Sequence, residues 1–169
     1  MTTEAAGPRE IGRFTFTAEE IRRFARLYDP QPFHLDEDAA RRSHFGTLVA
    51  SGWHTVAVWM GFFVRAHAGA AERLPEDHPA VISPVGVGFG LQNLRWPAPV
   101  RAGDTIVFLT EILDSRASGS RSGWAIHHRR NSARREDGTE VLSFELRHLA
   151  PEIATAPEGA GGLPASGAR

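Results

Sequence analysis

Apolar residues change their spacing twice along this chain, and the changes divide it into a helical first half and a stranded second half. Arg13-Phe14-Thr15-Phe16 alternates, which predicts a short opening strand. Thr17-Ala18-Glu19-Glu20 fits a capping box, with Thr17 as N-cap and Glu20 three residues on. Ile21, Phe24, Ala25 and Tyr28 then recur at helical spacing and predict an amphipathic helix over 18–28. Asp36 is placed to cap a second short helix over 37–42. After a loop from Phe45 to Gly52 comes a run from Trp53 to Ala68 that is apolar on every side. A helix of that kind is expected to be buried all round. It is shorter than the ~20 apolar residues that a membrane crossing needs.

A polar loop at 69–80 separates this helix from four segments with strand character, over 87–96, 105–113, 124–131 and 140–149. In the last of them Leu142, Phe144 and Leu146 alternate with Ser143, Glu145 and Arg147, the pattern of a sheet with one packed and one wet face. The short connections imply antiparallel neighbours. An α+β fold in which one antiparallel sheet curls around a long buried helix accounts for this order. Residues 1–10 are expected to be a loose tail, 11–150 a single domain, and the Ala/Gly/Pro-rich 151–169 a disordered tail.

Composition narrows the possibilities. The 169 residues suit one domain. With 19 basic and 20 acidic residues the net charge is −1, so no field of one sign favours nucleic acid or an anionic membrane. The absence of cysteine excludes disulfides, thiolate metal sites and cysteine nucleophiles. His34, His44 and His54 recur at intervals of ten but fall on different elements, so no metal site is expected. The first residues lack a basic stretch followed by an apolar run, and a cytoplasmic protein is the expectation.

The chemistry is concentrated in Tyr28-Asp29-Pro30-Gln31-Pro32-Phe33-His34. Positions five apart do not share a helix face, and the two prolines stiffen the segment into a non-helical bend. Such a bend is able to aim a carboxylate and an imidazole at one point, as proton transfer requires. The bland alternative is a helix stop in which Asp29 opens a turn and His34 bonds locally.

Three segments favour the chemical reading. The bend itself is similar to an Asp-x-Asn-Pro-x-His motif. Phe45-Gly46-Thr47-Leu48-Val49-Ala50-Ser51-Gly52-Trp53 heads the apolar helix. Leu94-Arg95-Trp96-Pro97-Ala98-Pro99-Val100-Arg101-Ala102-Gly103-Asp104 resembles an Arg-Pro-Val-x-x-Gly-Asp turn. Together, over about 15–150, they resemble the MaoC-like (R)-specific hydratase/dehydratase family, whose fold is the hotdog. Gln31 stands where that family more often has asparagine, Ser51 where many members have histidine, and Ala57 where many have serine.

The resemblance implies reversible hydration of a trans-2-enoyl thioester on coenzyme A. Asp29 is then the principal general base and His34 the residue that orients the water. The Gly52 amide, helped by Trp53, stands at a helix N-terminus suited to the thioester enolate. Glycine at 52 is expected to let the thioester approach the backbone. Ser51 and Phe33 are candidate substrate contacts, and Arg116 and Arg121 candidates for the phosphates of coenzyme A. No cofactor is implied beyond coenzyme A as part of the substrate, and the family implies a homodimer or larger homo-oligomer. A hotdog thioesterase and a non-catalytic acyl-thioester-binding or interaction module are the rival readings.

Overall fold

The computed structural model describes residues 7–67 and 86–151. The tail expected over 151–169, apart from Pro151, and the loop expected over 69–80 lie outside the described residues, as do the first six positions. The elements run β1 (Arg9–Thr15), α1 (Ala18–Tyr28), α2 (Pro32–Leu35), α3 (Glu37–Arg42), α4 (Gly52–His67), β2 (Val87–Arg95), β3 (Thr105–Ala117), β4 (Trp124–Arg135) and β5 (Glu140–Pro151). The five strands form one antiparallel sheet in the order β1-β3-β4-β5-β2.

Local chemistry sets the helical boundaries. Thr17 Oγ1 accepts from the Glu20 N–H at 3.2 Å and starts α1. Asp36 Oδ1 accepts from the Ala39 N–H at 2.7 Å and starts α3. Each satisfies an amide that the first turn leaves without a partner. The expected non-helical bend needs correction at its end: His34 lies in a single helical turn, α2, which opens on Pro32. Proline at the first helical position loses nothing, because that N–H has no partner within the helix and the ring already fixes φ.

α4 lies against one face of the sheet. Trp59, Phe63 and Val56 pack into a core with Phe16, Ile21, Ile106, Phe108, Leu142, Phe144 and Leu146. Trp59 is fully buried, stacked on Phe63 and edge-on to Phe144. Burial all round is not what this protomer provides. Trp53, Ala57 and Met60, one helical stripe, face outward, with Trp53 55% exposed. A single sheet covers one side of a helix, and among the described residues the stripe on the far side of α4 stays exposed.

The strands outrun their apolar signal. β3 continues past Leu113 through a bulge to Ala117, and β4 continues to Arg135, because the two strands pair in register on both sides of that bulge. β1 begins at Arg9, earlier than expected, with a bulge between Glu10 and Gly12. The Phe62 ring of α4 lies against Gly12, where a Cβ would sit 2.3 Å from the ring.

The turn before β3 braces the neighbourhood of the cleft. Asp104 Oδ2 accepts from the Arg101 N–H at 2.8 Å and from Arg135 Nε at 2.9 Å, and Arg135 also donates to the Pro99 carbonyl. The segment thus held pairs with the approach to α4. Ala50 N–H donates to Val100 O at 2.8 Å, Ala102 N–H donates to Leu48 O at 3.1 Å, and Val49 bridges to Arg101.

Candidate active site

Asp29 ends α1, its N–H donating to Ala25 O at 3.0 Å, and His34 sits inside α2. Gln31, between the two prolines, joins them through the main chain. Its N–H donates to Asp29 O at 2.8 Å, and its carbonyl accepts from the His34 N–H at 3.0 Å. The bend brings the two side chains together, with His34 Nε2 3.3 Å from Asp29 Oδ2. His34 is buried and the Asp29 side chain keeps 19% of its exposure.

The other imidazole nitrogen is tied to the main chain. His34 Nδ1 lies 2.6 Å from the Val49 carbonyl oxygen, which can only accept. Nδ1 therefore carries the proton, and in the neutral ring Nε2 presents a lone pair toward Asp29. The Val49 N–H in turn points to the Phe33 carbonyl at 3.5 Å, so the loop and α2 meet through both sides of one residue.

Burial by itself raises the Asp29 pKa. Hydrogen bonds from Ser51 and Gln31, joined by His34 when its ring is protonated, outweigh it and hold the carboxyl below the usual carboxylate range. Gln31 Nε2 donates to Asp29 Oδ1 at 2.9 Å. The pair opens into a cleft of about 470 Å³, whose walls include Phe33, Phe45, Ser51, Gly52, Trp53 and Trp96. No arginine or lysine lines it among the described residues.

The head of α4 forms one wall. Ser51 Oγ accepts from the Trp53 N–H at 3.2 Å, so that amide is engaged. Among the described residues the Gly52 N–H makes no hydrogen bond. Glycine at 52 also has a use within the fold. Its open side is filled by the Trp96 indole, whose Nε1 donates to Gly52 O at 3.0 Å, and an added Cβ would meet the ring at 2.6 Å. Gly52→Ala is expected to push the indole out, break that hydrogen bond and lower stability by about 1–3 kcal/mol, read as a shifted melting temperature and altered tryptophan emission.

Arg116 and Arg121 are not at the cleft. β3 carries the chain away from the braced turn for its 13 residues, roughly 40 Å at ~3.3 Å each, and both arginines are at the far end. Arg121 stacks on Trp124, its guanidinium carbon 3.6 Å from the ring centre. β3 extends to Ala117, past the end at 113 expected from the sequence, and this moves them away. His44 lies against Phe45 and His54 is stacked on Phe24, each apart from His34. Residue types carry no signal for the parts played by Val49 and Trp96, because one acts through its backbone and the other through a ring that complements a glycine.

A family model for the MaoC-like domain matches residues 3–124. The chain belongs to the MaoC-like family. The structure of the MaoC-like dehydratase from Rhodospirillum rubrum superimposes on this MaoC-like chain with a TM-score of 0.69 at 32% identity, covering 89% of this chain and 94% of that one. The R-hydratase PhaJ1 from Pseudomonas aeruginosa gives 0.61 at 22% identity, covering 95% and 94%. Both have the hotdog arrangement found here, an antiparallel sheet around one long helix. Among curated proteins, the 3-hydroxybutyryl-CoA dehydratase of Methylorubrum extorquens is 31% identical over 109 residues, 64% of this chain and 60% of its own length. Protein MaoC of Klebsiella aerogenes is 34% identical over 95 residues, 56% of this chain and 24% of its own. The MaoC-like chain thus spans under two thirds of those curated relatives. No helix among its described residues is long and apolar enough to cross a membrane.

Proposed function

We propose that this MaoC-like chain is a hydro-lyase that adds water reversibly to a trans-2-enoyl thioester carried on coenzyme A, giving the (R)-3-hydroxyacyl thioester. The observation that carries the reading is the meeting of Asp29 Oδ2 and His34 Nε2 at the cleft. With Nδ1 committed to Val49, both facing atoms are hydrogen-bond acceptors in the neutral ring, and two acceptors at 3.3 Å call for a donor beside them. A water molecule with one O–H toward each meets that need and keeps its oxygen lone pair for attack.

In the forward direction the water oxygen bonds to C3 while Asp29 takes the proton that leaves it. The C2–C3 π electrons move onto the thioester oxygen as an enolate. The Gly52 N–H, at the positive end of α4, is the donor offered to that oxygen. Collapse of the enolate draws a proton from the protonated Asp29–His34 pair to C2, which restores the starting charge state. His34 orients the water and polarises it. Trp53, Trp96 and Phe33 supply apolar walls for the acyl group.

Support for the reaction class comes from relatives named as dehydratases at 31–32% identity. Pairing of protomers is part of the proposal. β2 is an outer strand with Val87 and Phe89 exposed, and the outward stripe of α4 is apolar, features that a second copy would cover. The phosphates of coenzyme A then rest on groups outside the cleft lining.

The test is a hydration assay over a panel of enoyl-CoA chain lengths, including branched and aromatic acyl groups. Loss of enoyl absorbance without release of free thiol is expected for at least one member. Thiol release would replace this reading with a thioesterase, and saturable binding without turnover would replace it with a binding module.

A further inference from the structure

Hydration asks Asp29 to remain ionised while largely withdrawn from water, and to present one particular oxygen. Both requirements fall on residues outside the Asp29–His34 pair. Oδ1 accepts from Gln31 Nε2 at 2.9 Å, which leaves Oδ2 as the lobe facing His34. Gln31 is a stiff platform for this contact. It lies between Pro30 and Pro32, and its own N–H and C=O bond to Asp29 and His34. The side chain therefore reaches back two residues from a backbone with little freedom to move.

Ser51 comes from the opposite wall. It is 1% exposed, so its hydroxyl proton has no bulk water to meet. Its oxygen already accepts the Trp53 N–H at 3.2 Å, which turns the lone pair toward the helix and the O–H away from it. Asp29 lines the same cleft, and the Ser51 hydroxyl is among the groups that lower its pKa. Positions 31 and 51 are two of the three, with 57, at which the chain departs from the family pattern.

We propose that Gln31 and Ser51 are positioning residues that clamp the Asp29 carboxylate from two sides and leave Oδ2 as its working oxygen. The clamp is neutral at every pH in the working range, since neither an amide nor a hydroxyl titrates there. Its donors stabilise the charged form of a partly buried carboxyl, so removing them leaves desolvation less opposed and raises the pH at which Asp29 gains its proton. This inference rests on the hydration reading for its catalytic meaning but not for its physical content.

Two readouts test it in the full-length protein. One is the pH profile of kcat/KM for enoyl-CoA hydration, and the other is the titration of the Asp29 carboxyl carbon by ¹³C NMR without substrate. Gln31→Ala and Ser51→Ala are each expected to move the acid limb and the carboxyl titration upward together, by on the order of one pH unit in the double variant. Ser51→Thr, which keeps the hydroxyl, is expected to restore the parent values. Gln31 is exposed, so Gln31→Ala reports on the clamp even where Ser51→Ala disturbs the cap of α4. An unchanged Asp29 titration in Gln31→Ala would overturn the clamp. Full hydration activity in Asp29→Asn would instead remove the catalytic reading while the NMR titration still reports on the clamp.

Discussion

Asp29→Asn is expected to lower kcat for enoyl-CoA hydration by on the order of a hundredfold or more, about 2.7 kcal/mol of transition-state stabilisation. The substitution keeps the shape and removes the basicity. Asparagine has no oxygen able to take the proton from water. With its carbonyl oxygen kept toward Gln31 Nε2, it turns an N–H₂ toward His34 Nε2, and that donor occupies the lone pair on which the water depends. His34→Ala is expected to lose a comparable factor, because the remaining carboxylate then holds the water by one bond. Asp29 is partly exposed and lies at a helix end, so thermal melting of Asp29→Asn is expected to stay within a few degrees of the parent. Near-parental turnover in either variant would contradict the assignment.

Acid is expected to destabilise the fold well before its carboxylates titrate. Burial lowers the pKa of His54 to about 4, with Arg23 adding to the effect, and that of His148 to about 3, with Arg129, His127 and His67 adding to it. His67 is lowered to about 4, chiefly by burial and against a hydrogen bond to Phe63 O. Folded-state values below the unfolded 6.5 mean that the unfolded chain binds protons first. Stability is thus complete above about pH 6.5 and declines as pH falls toward 4. The slope approaches ~1.4 kcal/mol per pH unit for each such histidine. Between pH 7.5 and 5 the expected loss is on the order of several kcal/mol, a large part of an ordinary domain's stability. Urea midpoints at the two pH values measure it, and His148→Gln is expected to flatten the curve. Equal midpoints would mean that these rings are solvated in the folded protein.

Much of this is written in residue types. The capping box at Thr17 and the Asp36 cap set helix starts where local chemistry alone decides them, and the alternation in Leu142–Arg147 marks the packed face of β5. The Asp29–His34 meeting is legible because prolines restrict the chain locally. Features set by distant partners are not legible. The continuation of β3 through Ser115 and Arg116 depends on pairing with His127 and Ile126, which no local propensity shows. The placement of Arg121 follows from that pairing, and so does its distance from the cleft. The Trp96 ring against Gly52 joins residues 44 apart, and a glycine does not announce what fills the space beside it. The exposed stripe of α4 reads as core in a single sequence, since apolarity alone does not say which side the sheet covers.

The hydrogen bond from His34 to Val49 has a consequence for how such a centre withstands change. The oxygen that selects the imidazole tautomer belongs to a peptide group, so replacing the valine side chain leaves the selector in place. A tautomer chosen by an aspartate side chain is lost with one substitution. Here, erasing the selection requires rerouting the loop itself, against the Val100–Ala102 segment and the Asp104–Arg135 brace that hold it. Residue identity at 49 is therefore free to drift among side chains of similar bulk while the proton stays on Nδ1.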